Sequence, residues 1–105
     1  MNFEAQLLNK RILIVDDDVS LSKSIKEVLV SRGFKNISNA YSISEGIDIF
    51  SISKIDLIIL DVMLPDGEGY LLAQYIRKTS DIPILFLTAK NNPDDEVKGL
   101  DSGGD

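Results

Sequence analysis

A chain of 105 residues that is 44% hydrophobic, with 11 basic against 17 acidic side chains and a net charge of −6, can build one packed domain but offers no basic cluster for nucleic acid or anionic lipid. It has no cysteine and no histidine, which removes disulfides, thiolate metal sites, imidazole catalysis and any phosphohistidine formed on this chain, and speaks against zinc. No stretch approaches the ~18 apolar residues of a membrane span, so the chain reads as a cytoplasmic domain.

Met1 to Asn9 mixes charges with scattered apolar residues and is expected to be a loose extension. Ile12 to Val15 is a continuous apolar run of strand length closing on Asp16, the pattern of a strand buried on both faces. Behind it Leu21, Ile25, Val28 and Leu29 recur at helical spacing, with Asp18 as the cap and Gly33 as the terminator after Arg32. Asn36 to Ala40 is a weaker strand. Ser42-Ile43-Ser44-Glu45 then has the form of a capping box and opens a helix that buries Ile47 and Phe50.

Leu57 to Leu60 is a second apolar run, closing on Asp61. Leu64-Pro65-Asp66-Gly67 forms a turn, and a helix follows with Leu71, Leu72, Tyr75 and Ile76 on one face, ending near Thr79. Pro65 and Gly67 need only be turn residues, and Gly69 adds little. A third run, Ile84 to Leu87, closes on Thr88. Asn92 then caps a short helix with Pro93 in its first turn, acids beside the positive end of its dipole, and Val97 and Leu100 facing inward before Gly103-Gly104.

Strands alternating with helices predict right-handed βαβ units and an α/β fold, a parallel sheet covered on both faces, with residues 1–105 forming a single unit. In such sheets ligands bind beyond the carboxyl ends of the strands. Asp16, Asp17 and Asp18 follow the first strand and Asp61 the third, so distant parts of the sequence bring like charges to one edge. That arrangement favours a bound cation or a raised pKa. An all-oxygen site beside phosphate suits Mg²⁺, and an aspartate next to a metal can act as a nucleophile towards phosphorus. The Thr88 hydroxyl and the Ala89 backbone N–H are placed to meet a phosphate oxygen. Taken singly, each of these residues is an ordinary cap or turn former, Asp18 above all. Their joint occurrence at three strand ends carries the reading.

Ile12-Leu13-Ile14-Val15-Asp16-Asp17-Asp18, Leu57-Ile58-Ile59-Leu60-Asp61-Val62-Met63-Leu64-Pro65-Asp66-Gly67, Ile82-Pro83-Ile84-Leu85-Phe86-Leu87-Thr88-Ala89-Lys90 and Gly99-Leu100-Asp101-Ser102-Gly103-Gly104-Asp105 together resemble the receiver domain of two-component response regulators, over Arg11 to Asp105. The resemblance implies a flavodoxin-like, doubly wound sheet and phosphorylation of Asp61 by a partner histidine kinase. It also implies Mg²⁺ bound by Asp17 and Asp61 directly, by Asp16 through water and by the Met63 backbone carbonyl, with Thr88 as the switch hydroxyl. The family pattern continues into a fifth strand, a phosphoryl-pairing lysine, a switch aromatic and a fifth helix. None of these is present, and Lys90 does not match that lysine. The expected sheet is therefore 2-1-3-4, C-terminally truncated, with the fourth strand's edge open to self-association. The turn and C-terminal motifs look most like regulators that carry a C-terminal winged-helix DNA-binding domain.

Two alternatives stay open. Asp16-x-Asp18-x-Ser20 resembles the first motif of haloacid-dehalogenase-like phosphatases, in which Asp16 would be the nucleophile. A non-phosphorylated interaction module of the same fold is the other. P-loop and dinucleotide sites lack their glycine and lysine spacing.

Overall fold

A computed structural model describes residues 3–87. In chain order the elements are α1 (Phe3–Leu8), β1 (Arg11–Val15), α2 (Val19–Ser31), β2 (Asn36–Ala40), α3 (Ile43–Ile52), β3 (Leu57–Asp61), β4 (Met63–Leu64), β5 (Gly67–Glu68), α4 (Gly69–Arg77) and β6 (Ile84–Leu87). The helix expected from Asn92 onward, and Thr88 and Ala89, lie outside the described residues.

The apolar runs form the sheet β2-β1-β3-β6, parallel throughout, which is the expected 2-1-3-4 order once the small β4–β5 hairpin is counted. Alternation along each strand divides the core between two faces. Leu13 and Val15, Ile58 and Leu60, and Ile84 and Phe86 pack with Leu72, Ala73 and Ile76 of α4 and with Ile43 of α3. The opposite face lies under α2, where buried Ser22 accepts from Asn39 Nδ2 at 2.6 Å. Asn39 is the neighbour of Ala40, which belongs to the α3/α4 side, so the helices cover both faces as a doubly wound sheet requires. Each fully buried Leu or Ile contributes about 1.5–3 kcal/mol.

Local signals set the helix limits. Asp18 caps α2 through Leu21 N–H at 3.0 Å, and Gly33, at φ +100°, ends it with Phe34 N–H returning to the Leu29 carbonyl at 3.1 Å. Ser42 Oγ accepts from Glu45 N–H at 3.1 Å, while the Glu45 carboxylate reaches back to Tyr41 N–H at 3.1 Å, one residue earlier than in an ideal capping box.

Three expectations need correction. Of the segment expected to be loose, residues 3–9 hold α1 and are tied down: Lys35 N–H donates to the Leu8 carbonyl at 3.3 Å and Asn36 Nδ2 to the Asn9 carbonyl at 2.8 Å. In α2, Leu21 and Val28 are exposed, and it is Ser22 that is buried, because its hydroxyl finds Asn39. In α4, Leu71 and Tyr75 turn outward while Tyr70 and Ala73 turn inward, since Tyr70 packs its ring 5.2 Å from that of Phe86 on β6. Helical spacing identifies a stripe of neighbours, but the sheet decides which way the stripe rolls.

Leu72 is 0% exposed and its neighbour Leu71 54%, which separates the two readings of α4. Leu72→Ala should cost about 2–5 kcal/mol and Leu71→Ala no more than about 0.5 kcal/mol in urea denaturation.

Candidate metal centre at the strand ends

Parallel pairing places Val15 beside Leu60, so the residues that follow them, Asp16 and Asp61, leave the sheet at the same level. Carboxylate oxygens of Asp16, Asp17 and Asp61 all lie within 4.8 Å of one another. Asp16 is only 2% exposed. Its Oδ1 accepts from Asp18 N–H at 2.9 Å, and its own N–H donates to the Ala40 carbonyl at 3.0 Å, so the residue is locked between β2 and the start of α2. Asp17 is exposed at the rim. Asp18 serves α2 as its cap, as the sequence suggests.

Asp61 is the electrostatically strained member. Burial first, and the neighbouring Asp16 charge second, push its carboxyl up from 3.8 to about 6, against the opposing hydrogen bonds from Val62 and Met63 N–H. Three oxygen donors at this separation, with no nitrogen or sulfur ligand among them, fit a hard divalent cation, which would relieve the repulsion that raises Asp61. Met63 stands at the start of the β4–β5 hairpin with its N–H on Asp61. Leu87, the last described residue, is the strand partner of Asp61; Thr88 and Ala89, which follow it, lie outside the described residues.

Two residues of this region have more to do than their sequence suggests. Gly69 opens α4 directly against the Asp61 backbone: a Cβ there would collide with the Asp61 carbonyl oxygen, and Gly69 N–H donates to the Val62 carbonyl at 2.7 Å. The Gly67-x-Gly69 spacing at a helix start was its only trace in the sequence. Asp66, read as a turn residue, also accepts backbone N–H groups from α3, for which no local signal exists.

The response regulator receiver domain family model matches residues 12–105. The chain belongs to the response regulator receiver domain family. The transcriptional regulatory protein YvrH of Bacillus subtilis (strain 168) is 42% identical to this receiver over 97 residues, which is 92% of this chain and 41% of that protein. The probable transcriptional regulator ycf27 of Cyanidium caldarium is 46% identical over 100 residues, 92% of this chain and 40% of its own length. A crystal structure of a two-component response regulator from Clostridium difficile superposes with a TM-score of 0.86 at 35% identity, covering 92% of this receiver and 79% of that chain. The receiver thus spans about two fifths of the length of these curated relatives. The phosphatase reading of Asp16 loses its ground here, since a nearly inaccessible carboxylate already engaged by Asp18 N–H is poorly placed to attack a substrate.

Because Asp61 keeps its proton up to about 6 when folded, against 3.8 ordinarily, the metal-free receiver takes up a proton between those values that the unfolded chain does not. This contribution is fully present below the unfolded value and is lost as pH rises through the folded one. The melting temperature of metal-free protein should therefore rise as pH falls from about 7 to about 5, and Asp61→Asn should raise it at about pH 7 and flatten that dependence in circular-dichroism melts. Gly69→Ala should cost about 2 kcal/mol or more in urea denaturation, because the obstructing atom is backbone.

Proposed function

We propose that this receiver accepts a phosphoryl group on Asp61 from a partner histidine kinase, in a Mg²⁺-dependent reaction, and that the added charge alters a distant surface. The observation that carries this reading is the meeting of Asp16, Asp17 and Asp61 within 4.8 Å at the carboxyl edge of a receiver sheet. In the transfer, an ionised Asp61 oxygen forms the new bond to phosphorus, the bond from phosphorus to the kinase imidazole breaks, and the departing imidazole keeps the electron pair of that bond. The Val62 and Met63 N–H groups hold the attacking carboxylate, and Asp16, anchored by Asp18 N–H, stands beside it.

Asp17 and Asp61 would hold Mg²⁺, with Asp16 through water and the Met63 carbonyl, and the ion when bound supplies the positive charge that lets these acids ionise together beside phosphate. Thr88 is proposed as the switch hydroxyl on the family resemblance, and the Ala89 N–H, from its place beside Thr88 in the sequence, as a further donor to a phosphoryl oxygen. A phosphoryl group brings about 1.5–2 negative charges, enough to reposition a hydroxyl or an adjoining loop. Since the relatives are transcriptional regulators much longer than this chain, a C-terminal DNA-binding domain is the proposed recipient of the signal, in the cytoplasm. Among the described residues no helix is long and apolar enough to cross a membrane.

Incubation with a small acyl phosphate and Mg²⁺, read by intact mass, tests the assignment. One phosphoryl group should appear, need Mg²⁺, and vanish in Asp61→Asn. Label that survives in Asp61→Asn overturns the assignment, label on Asp16 restores the phosphatase reading, and its absence from the wild type favours a non-phosphorylated module.

A further inference from the structure

The β4–β5 hairpin contains two residues per strand, Met63↔Glu68 and Leu64↔Gly67. An isolated pairing of that size has little stability of its own, so the segment beyond Asp61 needs tethers from elsewhere. Asp66, exposed at its tip, supplies one. Its Oδ1 accepts from Ile43 N–H at 2.9 Å and its Oδ2 from Ser44 N–H at 3.0 Å. These donors belong to the first turn of α3, where N–H groups have no partner within the helix. The next, Glu45 N–H, is taken by Ser42 Oγ, so the two caps divide the helix end between a local hydroxyl and a carboxylate 23 residues away from Ile43. A negative charge is favourable at this end of the helix dipole, and the two hydrogen bonds hold the Asp66 carboxyl below its usual range.

What α3 touches gives the tether its meaning. Gly46 brings α3 so close to the sheet that a Cβ there would stand 3.4 Å from Val15 Cγ2 and 2.9 Å from Leu72 Cδ2. Val15 immediately precedes Asp16. The contacts therefore close a ring that runs from Asp61 through its Val62 and Met63 N–H bonds, along the hairpin to Asp66, across α3, and back through Val15 to Asp16.

We propose that Asp66 is a positioning residue which, by clamping the hairpin to the N-terminus of α3, holds the Met63 segment in register with the Asp16–Asp17–Asp61 pocket and so sets its affinity for a divalent cation. The proposal rests on the magnesium reading of the pocket. Outer-sphere supports of this kind commonly change metal affinity tenfold or more.

Calorimetric Mg²⁺ titration of the wild type, Asp66→Ala, Asp66→Asn and Ser42→Ala tests it, with urea denaturation of each variant alongside. Ser42→Ala removes a cap from the same helix end without touching the hairpin. Asp66→Ala should weaken Mg²⁺ binding about tenfold, Asp66→Asn, with one acceptor oxygen left, by less, and Ser42→Ala less than about twofold despite a comparable loss of stability. The phosphorylation rate of Asp66→Ala should return towards the wild-type value at saturating Mg²⁺. Equal affinities in wild type and Asp66→Ala, or equal losses in Asp66→Ala and Ser42→Ala, overturn the proposal. If Asp66→Ala does not fold, an Asp66→Asn protein with wild-type affinity overturns it equally. Wild-type protein that binds no Mg²⁺ refutes the underlying reading of the pocket instead, and the inference falls with it.

Discussion

Two carboxylates forced together by parallel strand pairing are the constraint around which this receiver is organised. The β1–β3 register brings Asp16 and Asp61 off the sheet side by side, and neither can retreat: Asp16 is fastened to β2 and to the start of α2, while Asp61 ends a strand buried at the centre of the sheet. The repulsion appears in Asp61, whose carboxyl is pushed up to about 6 mainly by burial and then by its neighbour. A pocket that is unfavourable for its own charges alone is one that a divalent cation can stabilise, which is the general logic of functional acids in preorganised sites.

Holding that arrangement takes more than the sheet. The chain beyond Asp61 makes a hairpin too short to stand alone, and three features keep it in place: Gly69 admits the Asp61 backbone against the first turn of α4, Gly69 N–H closes on Val62, and Asp66 reaches the N-terminus of α3. The last two satisfy the backbone N–H groups of Gly69, Ile43 and Ser44. The residues nearest the acids are thus fixed through backbone hydrogen bonds, while longer side chains such as Met63 remain exposed.

The fold leaves the family resemblance on firm ground and separates it from what belongs to a longer protein. Sheet order, strand-end acids and the family match over residues 12–105 agree. The curated relatives, transcriptional regulators by name, extend well beyond the matched region, and a DNA-binding domain enters here only as the proposed destination of the signal.

Strand positions, helix caps and the strand-end acids were legible in the sequence because they depend on local physics: unbroken apolar runs make buried strands, and Ser42, Asp18 and Gly33 act within a turn of where they stand. Family membership was legible for the same reason, its motifs being short contiguous strings. Tertiary structure alone decided which side of each helix faces the sheet, since a stripe containing Leu71 and Leu72 is equally amphipathic until Phe86 arrives beside Tyr70. It alone turned Asp66 from a turn former into a link to α3, and Gly69 from a spare glycine into the space that Asp61 needs. Partners far apart in the chain leave no periodicity to read, and they become neighbours only when the sheet closes.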